Sequence, residues 1–324
     1  MKRMKQMMYD MMLLLGRRRL RAVAILLLCC WSVISGSSVY AEKAETDPTF
    51  QAWIKAFYPR AVKQGISREL YQRAFAEVTA PDSEVLRKAA YQPEFTTEIW
   101  DYLDTAVNAV TVAEGRVMAK KYRPWLEKIS ARFSVEAPFL LAIWSIESRY
   151  GSVLEQPGRL HYVPLALATL AYGDAKRRKF GEQQLIAALQ IVRNGDVELE
   201  HLYGSWAGAM GHTQFIPTSY QAYSVDMDKD GRRDIWNSVP DALATAANLL
   251  HKNGWRTGSA WGCEVRVPEN GSQYKGTTKT FAQWRQLGFT RPDGSTFPEP
   301  GTKAELKMPA GDRGPGFLVQ TNTK

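Results

Sequence analysis

Apolar residues recur every three or four positions over most of the chain, across residues 50–132 and again up to Trp255. This spacing places them on one face of an α-helix, and proline or glycine interrupts it where a helix would end. After Trp255, glycine and proline become frequent, and short alternating segments such as CEVRVP and FLVQT follow, as is typical of loops and short strands. The sequence therefore predicts a mainly α fold of the α+β type, with a small strand-containing region after the helices.

Residues 1–41 have the order of a secretory signal peptide. Seven basic residues precede the apolar run at 22–34, and small residues suited to cleavage follow it up to Ala41. The run is short for a membrane span, which needs roughly 20 apolar residues, so an uncleaved membrane anchor is the less favoured alternative. We expect residues 1–41 to be removed and the protein to work in the periplasm.

Much of the net charge of +9 lies in this leader. Without residues 1–41 the chain keeps 35 basic and 32 acidic residues, a net charge of +3. The longest basic run that remains, KRRK at 176–179, is short for a nucleic-acid footprint and is ordinarily a solvated helix face. Cys263 would be the one remaining cysteine, so no intramolecular disulfide can form. We expect no nucleic-acid partner and a fold that depends on its hydrophobic core.

One acidic residue interrupts the apolar helical stretch AIWSIESRYG. In a helix stopped by the final glycine, Glu147 shares its face with Leu140, Ile143 and Trp144. Desolvation by these neighbours and the negative end of the helix dipole should both raise the pKa of the carboxyl group. An acid with a raised pKa can protonate a leaving group, as a glutamate in an apolar pocket does in lysozyme. The alternative is a last-turn residue that reaches solvent or pairs with Arg149.

A second passage, YGSWAGAMGHTQFIPTSYQAYSVD at 203–226, mixes glycine, polar and aromatic residues. Glycine permits close approach of the backbone. Hydroxyl and amide groups beside aromatic rings suit the polar rim and the apolar face of a sugar. The passage predicts a saccharide groove, with a tight packing point among core aromatics as the alternative.

These two motifs and the Asp-rich loop after them, in this order and spacing, resemble the soluble/membrane-bound lytic transglycosylase B family of peptidoglycan-cleaving enzymes. The resemblance covers residues 50–319 and implies a lysozyme-like helical catalytic core with a deep groove. The family continues past GPGFLV with a segment that helps form the groove, so the end at Lys324 predicts a truncated C-terminal region. The predicted parts are a signal peptide at 1–41, an N-terminal helical region at 42–132, the catalytic core at 133–255, and a region of loops and short strands at 256–324.

The resemblance also implies the chemistry. Glu147 would act as acid and base in cleaving the β-1,4 bond between N-acetylmuramic acid and N-acetylglucosamine, with formation of 1,6-anhydromuramoyl ends. One carboxylate can suffice because a hydroxyl of the substrate is the nucleophile, whereas hydrolases generally need two carboxylates. A catalytically impaired peptidoglycan-binding protein of the same fold and a muramidase-type hydrolase are the alternatives.

The substrate is expected to be the glycan strand of peptidoglycan, bound by a monomer, and proteins of cell-wall synthesis or division are the expected protein partners. The resemblance assigns sugar contacts to Ser205 and Gln214. The aromatic pattern adds Phe215 and Tyr220 as candidates for sugar contacts. The basic run supplies Arg177 and Arg178 as candidates for contacts with the acidic stem peptides.

The segment DMDKDGRRDIWN resembles an EF-hand loop. Asp226, Asp228 and Asp230 occupy its first three carboxylate positions, and Arg232 stands where a backbone carbonyl binds the metal. The bidentate glutamate is missing, and the family resemblance suggests that Asp241 closes a longer loop at 226–241. We expect a structural Ca²⁺ and no cofactor for catalysis, with a metal-free surface turn as the alternative.

Overall fold

The computed structural model describes residues 46–91, 99–156, 158–297 and 299–320. The predicted signal peptide and the last residues of the chain lie outside them. The described residues form twelve α-helices and six short strands. In chain order these are α1 Pro48–Lys63, α2 Arg68–Phe75, α3 Ser83–Ala90, α4 Ile99–Ala106, α5 Ala109–Lys121, α6 Arg123–Phe133, α7 Ala137–Ser148, β1 His161–Tyr162, α8 Val163–Gly173, α9 Arg178–Arg193, β2 Tyr203–Gly204, α10 Pro217–Tyr223, α11 Val239–Lys252, β3 Gly262–Val265, β4 Thr278–Thr280, α12 Phe281–Gln286, β5 Lys303–Lys307 and β6 Gly316–Val319.

Polar caps set the starts of several helices. Asp47 precedes α1, and its Oδ1 accepts hydrogen bonds from the backbone N–H groups of Thr49 (2.9 Å) and Phe50 (3.0 Å). Two N–H groups that the first turn leaves unpaired are thereby satisfied. Asp47 and Pro48 together therefore mark the start of α1.

Helix α8 lies at the centre of the larger hydrophobic core, because its residues from Ala166 to Ala171 are all fully buried. It packs against α9 at very short distance. A side chain at Gly181 of α9 would place its Cβ 2.7 Å from the backbone nitrogen of Ala171 and 2.8 Å from the carbonyl oxygen of Leu167. Glycine at this position therefore permits the crossing of the two helices.

The C-terminal region has a hydrophobic core of its own. Its four strands form an antiparallel sheet in the order β3-β6-β5-β4. Phe281 and Trp284 of α12 are buried against this sheet, and the indole N–H of Trp284 donates to the carbonyl oxygen of Ala304 (2.9 Å). The predicted short strands are present. The expectation of loops and strands missed α12, although Thr280 and Gln283 form the capping box that marks its start.

Within the described residues no single helix is long and apolar enough to cross a membrane. By length and composition alone the bent pair of α6 and α7 meets the same criterion. One hydrophobic core runs through both the predicted N-terminal region and the predicted catalytic region, from Phe50 to Ala247. The boundary at 132/133 stays a prediction.

Candidate functional site

Glu147 lies in the last turn of α7. Leu140 and Trp144 of its predicted helical face are buried, whereas the side chain of Glu147 reaches solvent. Enough protein surrounds the carboxyl group that burial raises its pKa above the usual range. Glu147 makes no hydrogen bond or ion pair within the described residues, with Arg149 or any other group. An accessible carboxyl group with a raised pKa is what proton donation to a substrate requires.

The helix ends earlier than the sequence suggested. The chain leaves α7 at Arg149, two residues before Gly151, and Arg149, Tyr150 and Gly151 all have positive φ (49°, 55° and 90°). Glycine is required at the third of these positions for a second reason. A Cβ on Gly151 would lie 2.3 Å from Cε1 of His212, so the turn after Glu147 lies directly against an imidazole ring.

His212 joins this turn to the glycine-rich passage. The indole N–H of Trp144 donates to its Nδ1 (3.1 Å), and the hydroxyl of Ser148 donates to its carbonyl oxygen (2.7 Å). Because Nδ1 accepts, the ring is neutral with its proton on Nε2. Burial lowers the pKa of His212 to about 4, so this arrangement persists at neutral pH.

The sequence showed His212 as one polar residue among several and gave no sign of its contacts with α7. Its ring meets the edge of Trp144 at a centroid distance of 5.5 Å. The two residues are 68 positions apart, so no local pattern connects them. We use the name His212 turn for residues 210–215, in which Met210 and Phe215 exchange backbone hydrogen bonds of 3.0 and 3.1 Å.

Ser205 and Gln214 are both half-buried on this passage. The hydroxyl oxygen of Ser205 accepts from the backbone N–H groups of Ala207 (3.3 Å) and Ala209 (3.0 Å), which leaves its proton free to donate. The side-chain amide of Gln214 donates to the carbonyl oxygen of Gly211 (2.9 Å), and its Oε1 has no partner within the described residues. Both residues keep one hydrogen-bonding group available for a ligand.

Phe215 and Tyr220 lie elsewhere than the sequence suggested. Tyr220 is fully buried, with its hydroxyl donating to the carbonyl oxygen of Arg233 (2.6 Å), and Phe215 is 7% exposed. Both belong to the hydrophobic core. The prediction that these rings contact the sugar is wrong, because neither offers a face to solvent. Alternating aromatic and polar residues have the same appearance in a core as in a groove.

The two candidate arginines differ from each other. Arg177 is half-buried, and its Nη1 donates to Oδ2 of Asp174 (2.7 Å) and to the carbonyl oxygen of Ala89 (3.0 Å). Its guanidinium also lies over the ring of Trp206 at 5.7 Å. Arg178 is the first residue of α9 and is exposed. Arg177 therefore has a structural role, and Arg178 is the more accessible of the two.

The Asp-rich segment at 226–241, here called the aspartate loop, brings three of its predicted ligands together. One carboxylate oxygen each of Asp226, Asp228 and Asp230 lies within 4.8 Å of the others. The loop turns at Gly231, where φ is +91°, and the backbone N–H of Gly231 donates to Oδ2 of Asp226 (3.0 Å). Clustered carboxylates of this kind are the oxygen ligands that Ca²⁺ prefers.

Asp241 is not part of this cluster. Its side chain is fully buried, Oδ1 accepts from the backbone N–H groups of Met227 (2.7 Å) and Asp228 (3.4 Å), and Oδ2 accepts from that of Asp234 (2.9 Å). Both oxygens are thus occupied by the loop's own backbone. Asp241 therefore supports the loop backbone and does not join the three clustered carboxylates. The backbone N–H of Arg232 donates to Oδ1 of Asp230 (2.8 Å).

Comparisons with known proteins identify the family of this chain. Residues 49–324 match the family described as "Transglycosylase SLT domain". The chain belongs to the transglycosylase SLT domain family. The family resemblance stated from the sequence is thereby confirmed, and the match includes α7, the His212 turn and the aspartate loop.

Among curated relatives of this family member, the membrane-bound lytic murein transglycosylase B of Escherichia coli (strain K12) is 30% identical over 218 residues. The match covers 64% of this chain and 58% of that protein, so the chain matches less than two thirds of the relative's length.

Solved structures confirm the fold. SltB3 from Pseudomonas aeruginosa, in complex with NAG-NAM-pentapeptide, is 42% identical with a TM-score of 0.78, over 84% of this chain and 73% of that one. The same protein was also solved in complex with NAG-anhNAM-pentapeptide, with a TM-score of 0.77. The lytic transglycosylase Slt35 from Escherichia coli, in complex with calcium, is 24% identical with a TM-score of 0.69, over 89% and 90%. The predicted lysozyme-like, mainly α fold is confirmed.

Proposed function

We propose that this protein is a lytic transglycosylase that cleaves the β-1,4 bond between N-acetylmuramic acid and N-acetylglucosamine in peptidoglycan and leaves 1,6-anhydromuramoyl ends. The observation that carries the proposal is Glu147, an accessible carboxyl group whose pKa burial raises, at the end of a helix that Trp144, Ser148 and His212 hold in place. The complex of SltB3 with NAG-anhNAM-pentapeptide supports the same product for a 42% identical relative.

In the proposed reaction, protonated Glu147 donates its proton to the glycosidic oxygen while the bond from that oxygen to C1 of the muramoyl ring breaks. The positive charge that develops on the ring is then quenched by the muramoyl C6 hydroxyl, which bonds to C1. The hydroxyl proton passes to the Glu147 carboxylate and restores the acid. Atoms and charge balance without water or a cofactor, and one carboxyl group serves both steps.

The electrostatics of Glu147 support a single carboxylate. Burial is what raises its pKa, and no second charged carboxylate among the described residues adds to the shift, as a pair sharing a site would do. Asp174 instead accepts from Arg177 (2.7 Å), and Glu155 is exposed on the following loop. A hydrolase that activates water with a second carboxylate would need such a group close by.

The free proton of Ser205 and the free amide oxygen of Gln214 suit the hydroxyl and N-acetyl groups of the glycan strand. Arg178 is the arginine of the basic run that is accessible to the acidic stem peptide. These assignments belong to the same proposal, and binding without turnover remains the alternative if Glu147 lacks its substrate geometry.

For the aspartate loop we propose a structural Ca²⁺ held by Asp226, Asp228 and Asp230. Their oxygens converge, but the bidentate ligand of an EF-hand is absent, so the site should bind weakly, in the 10⁻⁴–10⁻³ M range of extracellular modules. When bound, the ion would neutralise the repulsion of three carboxylates and stabilise the loop. The reaction at Glu147 requires no metal.

Export to the periplasm, where peptidoglycan lies, completes the proposal. It rests on the leader-like residues 1–41 and on the substrate class of the family. A boundary near Trp255 between catalytic core and C-terminal region is supported by the two separate hydrophobic cores.

The test is digestion of purified peptidoglycan by the protein and by its Glu147→Gln variant, with the products resolved by mass spectrometry. Glu155→Gln is the matched control, because it neutralises an exposed carboxylate on the loop that follows α7. We expect anhydromuramoyl products from the unchanged protein and from the control, and none from Glu147→Gln.

Two results would overturn the proposal. Products with reducing muramoyl ends would indicate a muramidase-type hydrolase that uses water. Folded protein that binds sacculi but releases no fragments would indicate a peptidoglycan-binding protein of the same fold.

A further inference from the structure

The C-terminal region has a surface cavity of about 630 Å³, and none of the residues described around Glu147 lines it. Three arginines line it: Arg266 just after β3, Arg285 on α12, and Arg291 on the loop that follows. Asp293 is the single carboxylate among the lining residues. Three guanidinium groups that line one cavity against a single carboxylate give it a positive potential, which favours an anionic ligand.

The three arginine side chains differ in the hydrogen bonds and ion pairs that they make. Nη2 of Arg266 donates to the carbonyl oxygen of Pro292 (3.1 Å), and Nη2 of Arg291 lies 3.3 Å from Oδ2 of Asp293. Arg285 is exposed, and its side chain makes no hydrogen bond or ion pair within the described residues. Its five N–H donors are therefore available to a ligand.

The wall of the cavity is fixed by its own contacts. Oδ1 of Asp293 accepts from the backbone N–H (3.0 Å) and the hydroxyl (2.7 Å) of Ser295, which closes a turn. Thr290 exchanges backbone hydrogen bonds with Arg266 (2.8 and 3.4 Å), and the buried ring of Phe289 packs on Trp284 with centroids 4.8 Å apart. The loop is thus anchored at Thr290 and held in a turn at Asp293, so the backbone around the cavity is in place before a ligand binds.

We propose that this arginine cavity binds the free carboxylates of the peptide stems of peptidoglycan. Arginine pairs with carboxylates through two parallel hydrogen bonds, and the volume falls within the roughly 300–1,000 Å³ of small-ligand sites. The half-buried ring of Phe297 and the hydroxyls of Ser295 and Thr296 suit the methyl and amide groups of a short peptide. A concave site of this size favours a peptide over a lipid surface.

This inference rests on the proposed function and extends it. The site near Glu147 would contact the glycan, and the C-terminal region would in addition contact the stem peptide. Arg177, by contrast, already has Asp174 as its partner. A strand carrying free peptides would then be held at two places, whereas a strand without peptides would be held at one.

Binding to the full chain is measured by calorimetry and by NMR of the arginine side chains. The probes are a synthetic stem pentapeptide with free carboxylates, the same peptide with its carboxylates amidated, inorganic phosphate, and vesicles of anionic phospholipid. We expect the free-carboxylate peptide to bind and to shift the Arg285 signal. Arg285→Gln should weaken binding by about tenfold, because a hydrogen bond to a charged group has roughly that value.

Lys303→Gln is the control, since it removes one exposed positive charge from β5 of the same region outside the cavity. It should bind the peptide with the affinity of the unchanged protein. The affinity of Arg285→Lys should lie between those of Arg285→Gln and the unchanged protein, because lysine keeps the positive charge but cannot make two parallel hydrogen bonds to a carboxylate. If Lys303→Gln weakened peptide binding as much as Arg285→Gln does, the effect would come from the positive charge of the whole region, and the proposed site would be wrong. Tighter binding of phosphate or of vesicles than of the peptide would overturn the proposal.

Turnover separates this inference from the proposed function. The ratio of rates on peptide-bearing and peptide-free glycan strands should fall in Arg285→Gln and stay constant in Lys303→Gln. If the unchanged protein is active but does not bind the peptide, and Arg285→Gln leaves the ratio of rates unchanged, the inference is wrong and the proposed function stands. If the unchanged protein cleaves neither substrate, the proposed function is wrong, whether or not the peptide binds.

Discussion

The His212 turn and the aspartate loop meet at Ile235, yet they are held by opposite means. In the turn, a Cβ on Gly211 would lie 2.4 Å from the carbonyl oxygen of Ile235, and His212 fills the space beside Gly151. In the first part of the loop, from Asp226 to Arg232, the carboxylates of Asp226 and Asp230 instead accept backbone N–H groups near the surface. Close packing fixes the turn with little dependence on ions, whereas this part of the loop depends on charge and therefore on the ions present.

The largest effect should come from breaking the packed side of this comparison. Gly151→Ala would force a Cβ into the ring of His212 at a residue whose φ is +90°. We expect unfolding free energy to fall by about 4 kcal/mol from combined overpacking and backbone strain, with activity on peptidoglycan lost. Thermal or urea unfolding measures the first and product release the second.

The control is Gly254→Ala, which has a similar φ of +83° and no atom within 4 Å of the added Cβ. It should cost about 1 kcal/mol from the backbone alone. Equal destabilisation by both variants would show that the contact with His212 contributes nothing.

The next largest effect concerns the buried support of the loop. Asp241→Ala leaves three backbone N–H groups without acceptors, so we expect a loss of about 3 kcal/mol in urea unfolding. Asp230→Ala removes an exposed carboxylate that, among the described residues, accepts from the backbone N–H of Arg232 alone (2.8 Å). It should lower the unfolding free energy by much less than Asp241→Ala does. If the two variants were equally stable, Asp241 would be one more surface carboxylate.

A third experiment sharpens the comparison through pH. The pKa of His212 is lowered from 6.5 to about 4 by burial, so between these values the unfolded chain binds more protons than the folded one. Stability from this group is therefore full above pH 6.5 and is lost as pH falls towards 4, by about 2 kcal/mol after allowance for partial exposure.

Asp241 acts in the same range with the opposite sign, because burial raises its pKa to about 6 and protonation below that value favours the folded state. The measured quantity is therefore the difference in melting temperature between the unchanged protein and His212→Gln from pH 7 to pH 4. We expect that difference to shrink as the pH falls. A difference independent of pH would contradict a neutral His212 that accepts from Trp144.

The smallest effect should come from the ion. Calcium at ten times its dissociation constant would stabilise the folded protein by about 1.4 kcal/mol, measured as a rise in melting temperature that a chelator reverses. Asp226→Asn should abolish the rise, and Asp312→Asn, outside the loop, should leave it. A rise of the same size in Asp226→Asn would place the calcium elsewhere.

The sequence determined the helical fold, the position of Glu147 on the last turn of α7 and the spacing of the three loop carboxylates, since each follows from residues within one or two turns of chain. It did not decide which aromatic residues face a groove. Phe215 and Tyr220 carry the pattern expected of sugar contacts and are core residues, because burial is set by elements distant in sequence.

The same reason explains His212, Asp241 and the arginine cavity. His212 became a partner of Trp144, and Asp241 a support for the loop above it, through contacts across 68 and 14 residues. Arg266, Arg285 and Arg291 are scattered through the C-terminal segments and line one cavity only after the sheet has formed. The sequence determines which chemical groups this protein carries, and tertiary packing decides which of them are buried, which are paired and which can bind a ligand.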